Sequence, residues 1–373
     1  MLHDTFGRTI DYLRISLTDR CNLRCLYCMP EEGVPSLCQE KILRLEEIER
    51  IVSVAAKCGI KHLRLTGGEP LVRKGITDLI YALKRIPGIE SIALTTNGIL
   101  LPPMAAALKE AGLDRVNISL DSLDAAQYHA ITRRGNLKDA LAGIEAAFSY
   151  GFDPVKINVV VVRHLQQDFA AFARLTLDKP LHVRFIEFMP IGHTTCPPDN
   201  STCMPAQTAH ASSDIACTSA HAARMPATFS QEDQNQKALI PWSSDDVVFA
   251  SEIRTLLQEA LDREHMGSLV PLSKAPTGWG PASYLKIAGA QGSIGFISAL
   301  SNHFCASCNR LRLTADGKLR PCLFSDEEFD IREAVRSGSE KDIQQILDKA
   351  LRKKPESHHY RQGTKRSMSQ VGG

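Results

Sequence analysis

Apolar and polar residues follow two rhythms along the first half of the chain. Short runs at 12–17, 62–65, 91–95, 115–120, 155–162 and 181–188 are dense in Leu, Ile and Val and read as strands. Between them, apolar residues recur every three or four positions, as at Leu45, Ile48, Ile51, Val52 and Ala55, with Gly59 placed to stop a helix. The same spacing predicts helices at 76–83, 104–111, 137–148 and 169–175. Six strands, most followed by a helix, predict a parallel sheet with helices on its outer surface. Six units fall short of the eight in a closed barrel. An α/β incomplete (βα)6 TIM-like barrel is the simplest architecture, with a doubly wound flat sheet as the alternative.

The rhythm stops at 191–241. Ser, Thr, Ala, Pro, His and Gln dominate there, Phe229 is the one aromatic, and no period persists. Such a composition cannot bury enough apolar surface to offset its ordering entropy, which predicts a low-complexity, disordered insertion. Beyond it, 247–261 has helical spacing, and 284–287 and 294–297 read as short strands. Segments 311–313 and 318–320 flank Asp316-Gly317, a hairpin turn signal. The chain thus divides into a barrel-like region at 1–190, the insertion at 191–241 and a smaller domain at 242–373. Its end is basic, with Arg352, Lys353, Lys354, Arg361, Lys365 and Arg366 ahead of Gly372-Gly373.

Composition narrows the class. The 373 residues are 43% hydrophobic and 23% charged, which excludes a fibrous repeat or wholesale disorder. Lys plus Arg number 44 against 42 Asp plus Glu, so no general nucleic-acid partner is expected. There is no run of about 18 apolar residues and no apolar N-terminal signal region, so the expectation is a cytoplasmic protein with no membrane partner. The 11 cysteines then change the picture. An odd count in such a chain points to reduced thiols used as ligands.

Cys21-x3-Cys25-x2-Cys28 places three thiols within eight residues. Thiolates suit zinc or iron–sulfur centres, and a structural zinc site wants a fourth ligand, which is not close by. On a four-iron cluster, three cysteines leave one iron open. A zinc knuckle borrowing a distant ligand is the plainer alternative. Cys305-x2-Cys308-x13-Cys322 is a second set of three, followed by Asn309-Arg310-Leu311-Arg312, and reads either as a zinc ribbon short of one ligand or as a second cluster site. Of Cys38, Cys58, Cys196, Cys203 and Cys217, Cys58 ends an amphipathic helix and reads as core packing. Cys196, Cys203 and Cys217, with His193, His210 and His221, could be read as a metal site, but their irregular spacing in a segment that reads as disordered favours the plainer reading of no site.

Polar motifs recur where strands end: Thr66-Gly67-Gly68-Glu69-Pro70, Thr95-Thr96-Asn97-Gly98, Ser119-Leu120-Asp121 and Met189-Pro190. In βα barrels this rim builds the active site, and the first cysteine triad falls on it too. Gly67-Gly68 would let a ligand approach the backbone. Arg14 and Lys156 interrupt apolar strands, and buried charge is costly unless paired, so an anion in the lumen is expected. With Arg64, and with Arg310 and Arg312 alternating on one strand face, these cations suggest a polyphosphate.

The Cys21/Cys25/Cys28 triad with Tyr27, together with Gly67-Gly68-Glu69-Pro70, resembles the radical S-adenosylmethionine superfamily. Thr18-Asp19-Arg20, the Cys305/Cys308/Cys322 triad with Asn309-Arg310-Leu311-Arg312, and the closing Gly372-Gly373 narrow the resemblance to the GTP 3′,8-cyclase (molybdenum cofactor biosynthesis protein A) family. The likeness spans nearly the whole chain outside 191–241, where the family normally has a shorter connection. It implies two [4Fe–4S] clusters, one per triad, and S-adenosylmethionine on the open iron of the first. Tyr27, Gly68, Ser119 and Met189 match positions contacting that cofactor. Arg14, Arg64, Thr95, Lys156, Arg310, Leu311 and Arg312 match positions contacting GTP, with Arg310, Arg312, Gly372 and Gly373 catalytic and the tail entering the active site.

The implied reaction starts when the reduced cluster cleaves the sulfonium. A 5′-deoxyadenosyl radical takes hydrogen from C3′ of GTP, and the ribose radical attacks C8. An electron and a proton complete (8S)-3′,8-cyclo-7,8-dihydroguanosine 5′-triphosphate, an early step of molybdenum cofactor biosynthesis. The implied partners are GTP, an external electron donor, cyclic pyranopterin monophosphate synthase downstream and a second copy of the chain in a homodimer. The implied architecture is the partial barrel closed at its mouth by the C-terminal domain. Two readings compete: another radical enzyme with an auxiliary cluster, such as a peptide-modifying one, and a zinc-stapled binding module.

Overall fold

The computed structural model describes residues 2–34, 39–191, 244–358, 364 and 366–372. The insertion expected at 191–241 lies outside these residues from position 192 onward, as do Cys38, Cys196, Cys203, Cys217 and Gly373.

Strand and helix alternate through the first half: β1 Tyr12–Ser16, α1 Leu45–Cys58, β2 His62–Thr66, α2 Ile76–Lys84, β3 Ser91–Thr96, α3 Leu101–Glu110, β4 Arg115–Ser119, α4 Ala125–Thr132, α5 Leu137–Ser149, β5 Val155–Val161, α6 Phe169–Arg174 and β6 Leu181–Glu187. The second half adds α7 Ala250–Arg263, β7 Leu269–Pro271, β8 Ser283–Ile287, β9 Ser293–Ile297, β10 Arg310–Leu313, β11 Lys318–Arg320, β12 Phe329–Asp330, α8 Arg332–Arg336, α9 Glu340–Arg352 and α10 Met368–Val371. All twelve strands form one sheet in the order β12-β11-β10-β1-β2-β3-β4-β5-β6-β9-β8-β7. Strands β1 to β6 pair in parallel, as right-handed βα crossovers require.

The C-terminal strands extend both flanks of this sheet. β9 joins β6 in parallel and β10 joins β1 in parallel, with antiparallel partners beyond each. A single cavity touches side chains from β1 through β6 and from β9 and β10. Only a sheet curled on itself brings those strands around one space, so the flat doubly wound alternative is excluded. The loop 298–309 joins β9 to β10 across the opening of this partial barrel. Buried Glu187, at the end of β6, anchors it by accepting from the amides of Leu300 (2.7 Å) and Ser301 (3.0 Å).

Alternation along the strands sets the two faces. Leu13, Ile15, Leu63, Leu65, Ile92, Leu94, Val116, Ile118, Ile157, Val159, Val183 and Phe185 are buried under the helices, α1 meeting them with Ile48, Ile51, Val52 and Ala55. The intervening positions face the lumen. Two boundaries differ from the sequence pattern for physical reasons. α3 begins at Leu101, because Pro102 and Pro103 fit a first helical turn that needs no N–H bonds there. α7 begins at Ala250, because Val247 is held in a bridge to Val162.

Candidate active site

The first cysteine triad sits on the loop after β1, at the strand-end rim. The loop is pinned on two sides. Arg24 N and Leu26 N donate to Thr132 O and Ile131 O at the end of α4 (3.0 and 2.9 Å). Gly68 N and Glu69 N donate to Thr18 O and Arg20 O (both 2.8 Å). That second pairing is why glycine stands at 67 and 68. A Cβ at Gly67, whose φ is +152°, would come within 2.5 Å of Thr18 O, and one at Gly68 within 2.4 Å of Arg20 O. The glycines therefore first of all admit the cysteine loop itself, where the sequence had suggested a ligand.

Cys21, Cys25 and Cys28 are free thiols lining one cavity of about 250 Å³. Burial pushes Cys21 up to about 11 and Cys28 up to about 12, and burial with the charges of Cys28, Asp121 and Cys21 drives Cys25 well above the ordinary thiol value. Three thiolates crowded here want a positively charged centre, and three sulfurs from one loop facing a common space fit an iron–sulfur cluster. Among the described residues, no group of three His, Cys, Asp or Glu gathers closely enough to ring a single metal ion.

Two buried carboxylates hold the rim. Glu69 accepts from Leu71 N (3.0 Å), Thr96 Oγ1 (2.7 Å) and Asn97 N (2.8 Å), and Asn97 Nδ2 donates to Asn22 Oδ1 beside Cys21 (2.7 Å). Burial raises Glu69 to about 7 despite those donors. Asp121 accepts from Tyr27 Oη (2.5 Å) and Val160 N (2.8 Å), fixing the tyrosine between Cys25 and Cys28, and burial raises it to about 6. Ser119, Gly68, Tyr27 and Met189 all line the same cavity.

Part of the cavity's lining is cationic. The register aligns Arg312 with Arg14 and Arg14 with Arg64 across three neighbouring strands, and all three line the cavity with Arg310 and Arg184. Like charges directly opposite destabilise a sheet unless an anion compensates them. Burial, then Arg312 and Arg64, holds Arg14 well below the usual guanidinium value, and burial with Arg310 lowers Arg312 to about 10. Thr95 Oγ1 and the Nε atoms of Arg64, Arg184 and Arg310 are buried without a partner. They are unpartnered polar atoms on residues that line the same cavity as the thiols. Lys156 lies behind this lining, its Nζ donating to Thr277 O (2.7 Å), and burial followed by Arg184, Arg64 and Arg115 lowers it to about 6. Leu311 is not brought to the cavity. It faces the opposite side of β10 and packs in the core against the helices.

The second triad is built differently. Cys305 and Cys308 come from loop 298–309 and Cys322 follows β11, and each of the other two raises the Cys305 thiol, burial being the larger cause. These thiols do not line the cavity, although their neighbours Phe304, Arg310 and Leu323 do. The C-terminal tail reaches the same space. Met368 lines it, the Ser369 amide donates to Cys28, and Gly372 O accepts from Arg312 Nη1 (2.8 Å). Gly372 takes φ +73°, with a Cβ there falling 2.7 Å from Thr66 Cγ2. Arg366, bound to Asp316 and Glu328, clamps the tail's base.

Residues 15–176 match the family model of the Radical SAM superfamily, and 231–360 that of Molybdenum Cofactor Synthesis C. The GTP 3',8-cyclases of Pelotomaculum thermopropionicum and Moorella thermoacetica are each 46% identical to this chain over the whole of both sequences. That of Heliobacterium modesticaldum is 44% identical over 99% of each. The chain belongs to the GTP 3′,8-cyclase family. Streptococcus suis SuiB bound to S-adenosylmethionine shares the fold, with a TM-score of 0.52 at 13% identity over 87% of this chain and 64% of that one. Membership of the GTP 3′,8-cyclase family makes the chain a radical S-adenosylmethionine enzyme with an iron–sulfur cluster. No helix among the described residues is long and apolar enough to cross a membrane.

Against that family background, the structure adds cavity-lining residues that the sequence reading did not single out: Arg184, Tyr12, Phe304 and Met368. It also shows that Glu69 and Asp121, already marked by their strand-end motifs, act as struts of the rim. Arg184 had a usable signal, since it breaks an apolar strand as Lys156 does. The two carboxylates stood in named motifs, but their strut role carried no local mark, because most of their partners come from distant segments.

Proposed function

We propose that this chain converts GTP to (8S)-3′,8-cyclo-7,8-dihydroguanosine 5′-triphosphate, using S-adenosylmethionine and two [4Fe–4S] clusters, in an early step of molybdenum cofactor biosynthesis. One observation carries the reading: the cysteine rim and an in-register array of arginines share one cavity. A cavity lined by both thiols and guanidinium groups fits an adenosyl cofactor beside a triphosphate. In this reading Cys21, Cys25 and Cys28 hold the first cluster and Cys305, Cys308 and Cys322 the second. When bound, the first cluster with S-adenosylmethionine supplies a 5′-deoxyadenosyl radical.

The chain's own residues bind, orient and exclude water. Tyr27, locked by Asp121, shapes the cofactor side with Gly68, Ser119 and Met189. Arg14, Arg64, Arg310 and Arg312, with Thr95, offer donors to the triphosphate. Lys156, lowered to about 6 by burial and the neighbouring arginines, would regain its proton only beside an anion such as this one. Val160, Ile186, Phe188, Ile297, Leu323 and Met368 wall the chamber with apolar groups, which keeps solvent from a reactive intermediate. Gly372, held by Arg312, would meet the substrate, and Gly373 is assigned a catalytic role in the same reading. The same reading includes a partial-barrel domain at 1–190, an insertion at 191–241 and a cluster-bearing domain at 242–373. It also includes a cytoplasmic homodimer, an external electron donor, and cyclic pyranopterin monophosphate synthase as the next enzyme.

The deciding experiment incubates the anaerobically reconstituted protein with reductant, S-adenosylmethionine and GTP. Stoichiometric 5′-deoxyadenosine and the cyclised triphosphate are expected. 5′-Deoxyadenosine formed with GTP left intact would overturn the reading.

A further inference from the structure

Lys354 was read from sequence as one member of a basic tail. It is instead 3% exposed and sits among the ligands of the second triad. Its Nζ donates to Arg310 O (2.8 Å) and Pro321 O (2.8 Å) and lies 3.4 Å from Cys308 Sγ. An ammonium has three donors, and all three are spent here. The acceptors belong to three places that must keep a fixed separation: the thiol of Cys308, the backbone two residues after it, and the residue immediately before Cys322.

The surroundings hold this amine in place. Lys354 follows α9, which is fastened by the Ser339–Asp342 capping box and by buried Ile343, Leu347, Ala350 and Leu351. Arg8, from the far end of the chain, donates to Cys305 O (2.7 Å), Glu356 O (2.8 Å) and Pro355 O (2.6 Å), tying the segment after Lys354 to the first thiol of the triad. His358 Nε2 donates to Ala299 O (2.8 Å), and its ring packs against Phe324 at a tilt, with ring centroids 4.4 Å apart. One strap, 354–358, therefore touches both sides of the cysteine cage.

We propose that Lys354 is the positioning residue of the Cys305/Cys308/Cys322 cage, setting its geometry through two backbone carbonyls and donating a hydrogen bond to the Cys308 sulfur. This rests on the reading that the second triad carries a cluster. A cluster held by three thiolates is a buried anion, and an ammonium donating to one of its sulfurs stabilises the bound and the reduced forms. Removing such a partner loosens metal retention by roughly ten- to a hundredfold.

The test isolates each cage. One background carries Cys21→Ser, Cys25→Ser and Cys28→Ser and keeps only the second cage. The other carries Cys305→Ser, Cys308→Ser and Cys322→Ser and keeps only the first. Lys354→Met is placed in each, and the readouts are iron per chain, the rate of iron release to a chelator and the cluster's midpoint potential. With the second cage alone, Lys354→Met is expected to speed iron release at least about tenfold and to move the potential more negative. With the first cage alone, both should stay put. Lys354→Gln, which keeps donors without the charge, should fall between in iron release. Iron bound normally by the second cage and unaffected by Lys354→Met overturns the proposal while leaving the two-cluster reading intact. Loss from both cages assigns Lys354 to the fold at large and overturns it too. A second-cage background that binds no iron before Lys354 is touched overturns the two-cluster reading, and the proposal with it.

Discussion

The two cysteine cages use the same number of thiols and are assembled in opposite ways. The first is local: eight consecutive residues supply every sulfur, and the barrel rim grips the loop through backbone pairing at Thr18, Arg20, Thr132 and Ile131. The second is gathered from distant sequence. A loop spanning the barrel opening and the residue after Pro321 supply its sulfurs, and Arg8, Lys354 and His358 close around them. The first lines the chamber directly, whereas the second stands one residue behind its wall. A local cage can be fixed by loop sterics alone. A non-local cage needs side chains that bridge segments, and its integrity depends on the C-terminal packing.

The sharpest way to separate the cages is to remove one thiol from each. Cys21→Ser is expected to abolish 5′-deoxyadenosine formation entirely, because all radical generation depends on the first cage. Cys308→Ser should abolish the cyclised product while leaving slow, uncoupled cleavage of S-adenosylmethionine. Measuring 5′-deoxyadenosine and GTP-derived product in the same reactions decides it. Equal loss of both activities in both variants would merge the two roles.

Gly68→Ala attacks the steric device peculiar to the first cage. Its Cβ would fall 2.4 Å from Arg20 O, against backbone that cannot move without dragging Cys21. Iron bound by the first cage alone should drop to a small fraction of the parent, with the second cage's iron unchanged. Retention of full iron would show that the loop has slack.

The arginine wall comes next in size. Arg310→Ala with Arg312→Ala removes two guanidinium groups from the chamber and frees Gly372 O from its partner. A charge-assisted hydrogen bond contributes about 1.5–3 kcal/mol, so kcat/KM for GTP should fall at least about a hundredfold for the pair. Uncoupled cleavage of S-adenosylmethionine should persist. Its disappearance would mean that these side chains brace the first cage as well.

The ease of reading the two cages from sequence follows the same division. The βα alternation and the first triad were legible because each is written in neighbouring residues, with inward Arg14 and Lys156 marking the lumen. α4 was missed: Ala125–Thr132 has no clean apolar stripe, since it is shaped by packing Tyr128, Ile131 and Thr132 under the cysteine loop. α9 was passed over too: its apolar positions Ile343, Leu347, Ala350 and Leu351 have helical spacing, but polar and charged residues fill most of the rest. Lys354 looked like a solvated charge, and nothing local distinguishes it from Lys353. Leu311 sat inside a matched motif, yet strand alternation turns it to the core while Arg310 and Arg312 face the chamber. Burial of a polar group by distant segments leaves no local mark.

The smallest expected effect lies in the titration of Glu69, the strut of the first cage. Its carboxyl is raised from the ordinary value near 4.5 to about 7 by burial, so between those values the folded chain holds a proton that the unfolded chain has lost. Stability contributed by Glu69 is therefore complete at low pH and declines as pH rises from about 4.5 to about 7. His182, lowered by burial to about 4, runs the other way and gains stability with rising pH up to its unfolded value. The parent's own profile mixes the two, so the informative quantity is a difference. Glu69→Gln loses hydrogen-bond geometry at Thr96, Asn97 and Leu71 at every pH and should be less stable throughout. Its deficit against the parent should shrink as pH climbs from 4.5 to 7, because the parent alone pays to ionise a buried acid. Parallel thermal-unfolding curves of the metal-free proteins across that range would read this directly. A deficit that stays constant would mean the site hydrates enough for Glu69 to titrate as an ordinary carboxylate, and the rigidity attributed to the first cage would then have to come from the Gly67-Gly68 crossing alone.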